Sequence, residues 1–231
     1  MIRRSFLLAV VCVASLLAYV RLMRPWHLRW GASDEEVQRP MPLDERIPSP
    51  DSVSTRAVTI GANPAAVWPW IVQIGESPRA GFYSYALVER LQGMQIENSE
   101  RILPEFQELH VGEAVDGKGD ILVLAVEPEQ YLVLGPPEKY DWLKSTWAFV
   151  LLPADGATRL VTRVRAKVNW LGLLKNTPPI SWPFLLLIDP GVFIMERKML
   201  LEIKRLAEHS AQSLELRLTS SDSKQSEGIE A

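Results

Sequence analysis

The residues of this chain that could do chemistry do not assemble into a familiar catalytic set. Its three histidines, His27, His110 and His209, stand far apart. No His-x-x-x-His or Glu-x-x-His spacing exists to put two metal ligands on one helical face. The single cysteine, Cys12, lies in an apolar run, so neither an intrachain disulfide nor a cysteine metal site can form. No Gly-x-Ser-x-Gly turn or phosphate-cradling glycine loop occurs, so hydrolase and nucleotide chemistry have no footing. No metal and no cofactor is implied. A catalyst on this chain would need a general acid or base held in an apolar site, its pKa moved towards neutrality. Glu89, Glu97, Tyr83 and Arg163 are candidates, and their spacing favours none of them.

Aromatic residues are the better lead. Trp68 and Trp70 flank Pro69, Tyr83 and Tyr85 precede a short apolar stretch, and Trp142 and Trp147 fall in a β-rich region. Most Trp and Tyr fill core. A phenol or indole on an apolar wall, however, supplies the one polar handle by which a small-molecule site fixes orientation. Trp70, Tyr83, Tyr85 and Trp147 are the expected cavity lining, with Met195 and Met199 from the last helix. Arg163 and Arg165 share one face of a strand, opposite Thr162 and Val164. That face is either solvated, or one arginine turns inward to an acidic partner such as Glu196 or to a ligand.

These residues need a scaffold. The chain has 231 residues, 47% apolar and 23% charged, enough for one good core with appendages. A net charge of −3, with Lys and Arg spread throughout, argues against nucleic acid. Phe6–Val20 carries no charge and is flanked by arginines on both sides. It falls short of the roughly 20 residues that span a bilayer, though Ile2, Leu22 and Met23 lengthen it and Arg21 can snorkel. No small-x-small cleavage site follows, and Trp26 and Trp30 fit an interfacial belt, which favours an uncleaved anchor over a signal peptide. Residues 1–25 are therefore expected to be a membrane anchor, single-pass, with the domain on the cytoplasmic side by the positive-inside rule. Residues 26–52, with Pro40, Pro42, Pro48 and Pro50 among acidic residues, read as a linker that is unlike core.

The domain proper is predicted over 53–209. SVSTRAVTI reads as a strand ending near Ile60, and Asn63-Pro64 caps a helix through Ile74 that Pro69 should kink or split and Gly75 stops. A second helix is predicted near 84–91. VGEAV, ILVLAVE and YLVLG read as successive strands, and STWAFVLLP and TRLVTRVRAKV as a hairpin about Ala-Asp-Gly-Ala. Val192, Met195, Met199, Ile203 and Leu206 recur at helical spacing after Asp189-Pro190, giving a long amphipathic helix. The segment from 169 to 188, apolar but broken by Pro178, Pro179 and Pro183, reads as a loop or short helix packed on the domain, or as a bilayer contact at a cavity mouth. Residues 210–231 turn polar and are expected to be disordered.

AAVWPWIVQIG, RAGFYSYALVERL, ENSERILPEF, LHVGEAV, STWAFVLLP with TRLVTRVRA, FIMERKMLLEIKRLAE and the earlier WGASDEEV resemble the SRPBCC family. This is the START-like, helix-grip superfamily, in its polyketide cyclase/dehydrase and lipid transport branch. The resemblance runs from about Trp30 to Ala207. It implies an α+β helix-grip fold, a curved antiparallel sheet wrapped around a long C-terminal helix, here behind an N-terminal transmembrane helix. It also implies a deep apolar cavity between sheet and helix, and supplies no fixed catalytic set. The expected partners are a hydrophobic small molecule (a lipid, isoprenoid or polyketide-like compound) and the membrane. The expected role is binding or transfer of that molecule, with a cyclase or dehydratase, or an interaction module with a filled cavity, as alternatives.

Overall fold

Alternating β-branched residues and a clean turn at each end make Ser52–Ile60 the first strand, β1. The computed structural model describes residues 10–11, 14–15, 17–91, 93–140, 142–169, 171 and 188–227. After β1, Asn63 accepts a hydrogen bond from the Ala66 amide and Pro64 occupies the first turn, so the chain enters a helix over Pro64–Val72. Pro69 is accommodated within that helix rather than splitting it. A shorter helix spans Ala86–Leu91. The remaining strands are β2 (Leu122–Glu127), β3 (Tyr131–Gly135), β4 (Leu143–Ala154) and β5 (Ala157–Val168). Asp155-Gly156 joins the last two, Gly156 taking the left-handed φ of 75° that so tight a turn requires. VGEAV, expected as a strand, contributes only an isolated bridge between Ala114 and Leu122.

The five strands form one antiparallel sheet in the order β1-β5-β4-β3-β2. The chain is thus α+β. A final helix, Ile188–Glu227, crosses the inner face of the sheet and continues past Ser210, where composition alone had suggested a disordered tail. Met199, Leu200, Ile203 and Leu206 on it join Val58, Ile60, Phe149 and Leu160 of the sheet and Trp70 and Ile71 of the first domain helix in the main core.

The outer face of the sheet is covered too, by the segment read from sequence as a linker. A short helix, Asp34–Gln38, starts with a reciprocal cap between Ser33 and Glu36. Met41 packs with Ala57, Val133, Ala148 and Val161 in a second apolar cluster on that face, and Ile47 is buried. Arg163 locks this arm in place. It donates to the Glu36 and Val37 carbonyls at 2.8 and 2.9 Å, and to the Arg39 carbonyl and the Asp44 carboxylate at 2.7 Å each. Arg163 therefore answers the orphan carbonyls at the end of the short helix. Arg159 pairs with Glu36 at 2.6 Å, and Arg165 reaches the Ile47 carbonyl.

The expected membrane anchor does not hold. Among the described residues no helix is long and apolar enough to cross a membrane. Residues 1–9, 12–13 and 16, which include seven of the fifteen residues of the apolar run, lie outside the described residues. From Tyr19 onward the chain turns back onto the protein: Tyr19 and His27 share a hydrogen bond of 2.8 Å, and Arg24 pairs with Asp189 at 2.7 Å. Trp26 and Trp30, expected as an interfacial belt, meet Phe193 of the final helix edge-on, His27 stacks on the same ring, and Arg197 lies over the Trp30 ring. The single-pass, cytoplasmic placement built on that anchor falls with it. Residues 172–187, the centre of the proline-broken segment, also lie outside the described residues.

Candidate functional site

The register of the sheet explains where a cavity can form. On the inner face, Val58, Leu160 and Leu151 lie in one row across β1, β5 and β4, and Arg56, Thr162, Phe149 and Leu132 in the next. Ser54, Val164, Trp147 and Leu134 follow, then Ser52, Ala166 and Ser145. Only the last row consists of small side chains throughout. At one end large residues fill the space beneath the final helix. At the other, Ser145, Ala166 and Gly135 cannot, and a cavity of about 390 Å3 remains. It is walled by Trp147, Leu134, Leu143 and Val164 from the sheet, Val192, Met195 and Met199 from the final helix, and Phe82 and Met94 from the loops. Phe82 stacks on Trp147 at 6.1 Å between centroids.

The polar groups in this wall divide into answered and unanswered. Glu196 accepts from Thr162 at 2.5 Å and pairs with Arg56, which is 1% exposed and also donates to the His27 carbonyl at 2.9 Å. A buried guanidinium needs such partners. Ser84 donates to the Met195 carbonyl at 3.1 Å. Asp120 at the rim is held by Tyr140 and by Lys139 at 3.6 Å. Glu89 is different. It is 3% exposed, on the short helix Ala86–Leu91, and its buried Oε2 has no hydrogen-bond partner. Burial pushes its carboxyl up to about 7. The Trp147 indole N–H is likewise buried without an acceptor. Buried polar groups left unpaired are rare and point to strain, catalysis or an absent partner. Two of them line this one apolar cavity.

Of the residues read from sequence, Trp147, Met195 and Met199 line the cavity. Trp70 and Tyr83 do not. They are wholly buried against each other, ring centroids 6.3 Å apart, and Tyr83 takes a hydrogen bond of 2.6 Å from Gln73. The tyrosine hydroxyl is raised by burial, which suits a core group. Tyr83 has a left-handed φ of 55°, so Phe82 and Ser84 on either side of it reach the cavity while its own ring enters the core. Tyr85 is 46% exposed, off the lining. Arg163 points to the opposite face of the sheet, and the inward arginine that meets Glu196 is Arg56 on β1. Strand parity carried that signal: Arg56 shares a face with Val58 and Ile60. Glu196 was legible as well, lying with Val192, Met199 and Ile203 on the apolar stripe of the last helix. Nothing in the sequence distinguished Glu89, whose neighbours Leu87 and Leu91 are exposed while it is buried.

An α+β domain with an antiparallel sheet, a long final helix and an apolar cavity between them is the class that fold and site define. No family model matches the chain, and no curated protein matches it. Solved structures similar to it include a Polyketide_cyc-like protein from Corynebacterium glutamicum, 11% identical over 68% of this chain and 91% of that one, TM-score 0.42. A protein from Chromobacterium violaceum is 12% identical over 68% and 96%, TM-score 0.39, and one from Mesorhizobium loti 16% over 68% and 98%, TM-score 0.37. The fold and site are defined by the register, packing and cavity of this chain itself.

Proposed function

We propose that this protein binds a largely apolar small molecule in the cavity between the inner face of the sheet and the start of the final helix. The observation that carries the reading is a volume of about 390 Å3 with an apolar wall, two of whose residues, Glu89 and Trp147, each hold a buried polar atom without a partner. That volume falls at the lower end of small-molecule sites, roughly 300–1,000 Å3. Removing about 200–300 Å2 of apolar ligand surface from water contributes about 5–7 kcal/mol before association costs, so no charged anchor is needed for useful affinity. An open volume of this size also counts against a module whose cavity is filled by its own side chains.

A second reading, an acid–base enzyme of the cyclase or dehydratase kind, is favoured by Glu89, whose carboxyl near neutrality could both give and take a proton. Turnover separates the two: a binder releases its ligand unchanged, and an enzyme loses rate by orders of magnitude on Glu89→Gln. The binding reading itself is tested with the uncharged fluorophore N-phenyl-1-naphthylamine. Wild type should enhance its emission saturably, and Val164→Phe, which pushes a ring into the cavity from β5, should weaken binding about tenfold or more. Equal binding by a folded Val164→Phe would place the probe elsewhere and refute the reading.

A further inference from the structure

We infer that Glu89 selects the ligand: the cavity takes an uncharged, largely apolar molecule bearing an acceptor oxygen, a ketone, aldehyde or ester, and refuses the corresponding carboxylate. This rests on the ligand-binding reading above and narrows it to a chemical class.

The charge of the wall excludes anions. Three carboxylic residues line it, Glu89 from the short helix, Asp120 from the loop before β2 and Glu196 from the final helix, and no Lys, Arg or His does so among the described residues. The cations nearby are already engaged. Arg56 is committed to Glu196, and Lys139 sits against Asp120 outside the lining. Arg90, next to Glu89 in sequence, is exposed and donates to the Ile96 carbonyl. An incoming carboxylate would thus be desolvated with no free cation in the described lining to pair with it.

The unpaired groups choose between neutral and cationic ligands. The Trp147 indole is a donor only, and it needs an acceptor. Glu89, buried with no ion pair among the described residues, is held towards its neutral form, in which it too offers an O–H. One carbonyl or ester oxygen has lone pairs for such donors. An ammonium would satisfy Glu89 only as a carboxylate and would leave the indole N–H unanswered. Ionisation of Glu89 removes its donor and places an unpaired charge beside the ligand, so occupancy is linked to pH. Of the other groups facing the cavity, Asp120 and Glu196 are each already partnered, so Glu89 is the group expected to carry this linkage.

The test is calorimetric titration of the full chain with three probes on one skeleton: 2-acetylnaphthalene, 2-naphthoate and 2-(aminomethyl)naphthalene, at pH 6.0 and 8.5. The ketone should bind at least tenfold more tightly than the naphthoate at pH 6.0, and its affinity should fall about tenfold per pH unit above the Glu89 transition. Glu89→Gln keeps a donor and cannot ionise, so it should bind the ketone with the same affinity at both pH values. Glu89→Leu should weaken the ketone selectively. Tightest binding by the amine, equal binding by the naphthoate, or pH dependence that persists in Glu89→Gln would each overturn the assignment while leaving a ligand-binding cavity in place. Failure of all three probes to bind wild type would instead remove the cavity-binding reading, and this inference with it.

Discussion

Replacing Glu89 by Gln should change how the stability of this protein depends on pH. In the folded state the Glu89 carboxyl is raised from 4.5 to about 7 by burial alone, with no cation or donor to offset the loss of water. Below about pH 4.5 both folded and unfolded chains hold the proton, and the residue contributes no pH-dependent term. Between about pH 4.5 and 7 the unfolded chain has released its proton while the folded chain retains it, so stability falls as pH rises. Above 7 both are ionised and the full difference has been lost. That rise from 4.5 to about 7 corresponds to about 3 kcal/mol. Glutamine fills nearly the same space without ionising. Urea unfolding followed by tryptophan fluorescence, at intervals from pH 4 to 8.5, should show the advantage of Glu89→Gln over wild type growing by about 3 kcal/mol across that range. Any constant offset from the amide cancels in this comparison. Parallel stability curves for the two proteins would mean that the carboxyl is solvated or paired, and the site as described would be wrong.

Arg56→Met should cost about 3–5 kcal/mol in urea unfolding, because Glu196 is left charged and buried, and the double variant Arg56→Met/Glu196→Leu should recover much of that loss. A double variant no more stable than the single would show that the pair is not the coupled unit described. Arg163→Met should free the arm over residues 36–47 from the outer face, read as new cleavage there in limited proteolysis, with N-phenyl-1-naphthylamine binding unchanged. An intact arm, or lost probe binding, would contradict the placement of Arg163 away from the cavity.

Much of this architecture was legible where one period dominates the sequence. β1, the hairpin about Asp155-Gly156 and the final helix follow from alternation, turn chemistry and helical spacing, and Met195, Met199 and Trp147, candidates from the sequence, lie in the cavity wall. The errors have physical causes. Polar and proline-rich composition made residues 26–52 look like a linker, because pattern reading cannot see that the outer face of a sheet needs a cover. Carbonyls of that segment are instead bound by Arg163, on the strand face opposite the cavity. Tyr83 lies within the region that builds the wall, yet its ring is buried in the core while its neighbours Phe82 and Ser84 line the cavity. Trp26 and Trp30 had the composition of an interfacial belt but meet Phe193, a contact between distant parts of the chain. Glu89 was one of four acid–base candidates but was not singled out, because burial of a lone acid on a short helix is decided by tertiary packing around it.

The most direct test of a ligand cavity uses the methionines as reporters. Met94, Met195 and Met199 line the cavity, whereas Met41 packs on the opposite face of the sheet beneath the arm. With 13C-methyl-labelled methionine in the full chain, titration with 2-acetylnaphthalene should shift the methyl signals of Met94, Met195 and Met199 together, to saturation, and leave Met41 in place. Shifts at Met41, or no saturable shift at the three cavity methyls, would contradict a binding site between the sheet and the final helix.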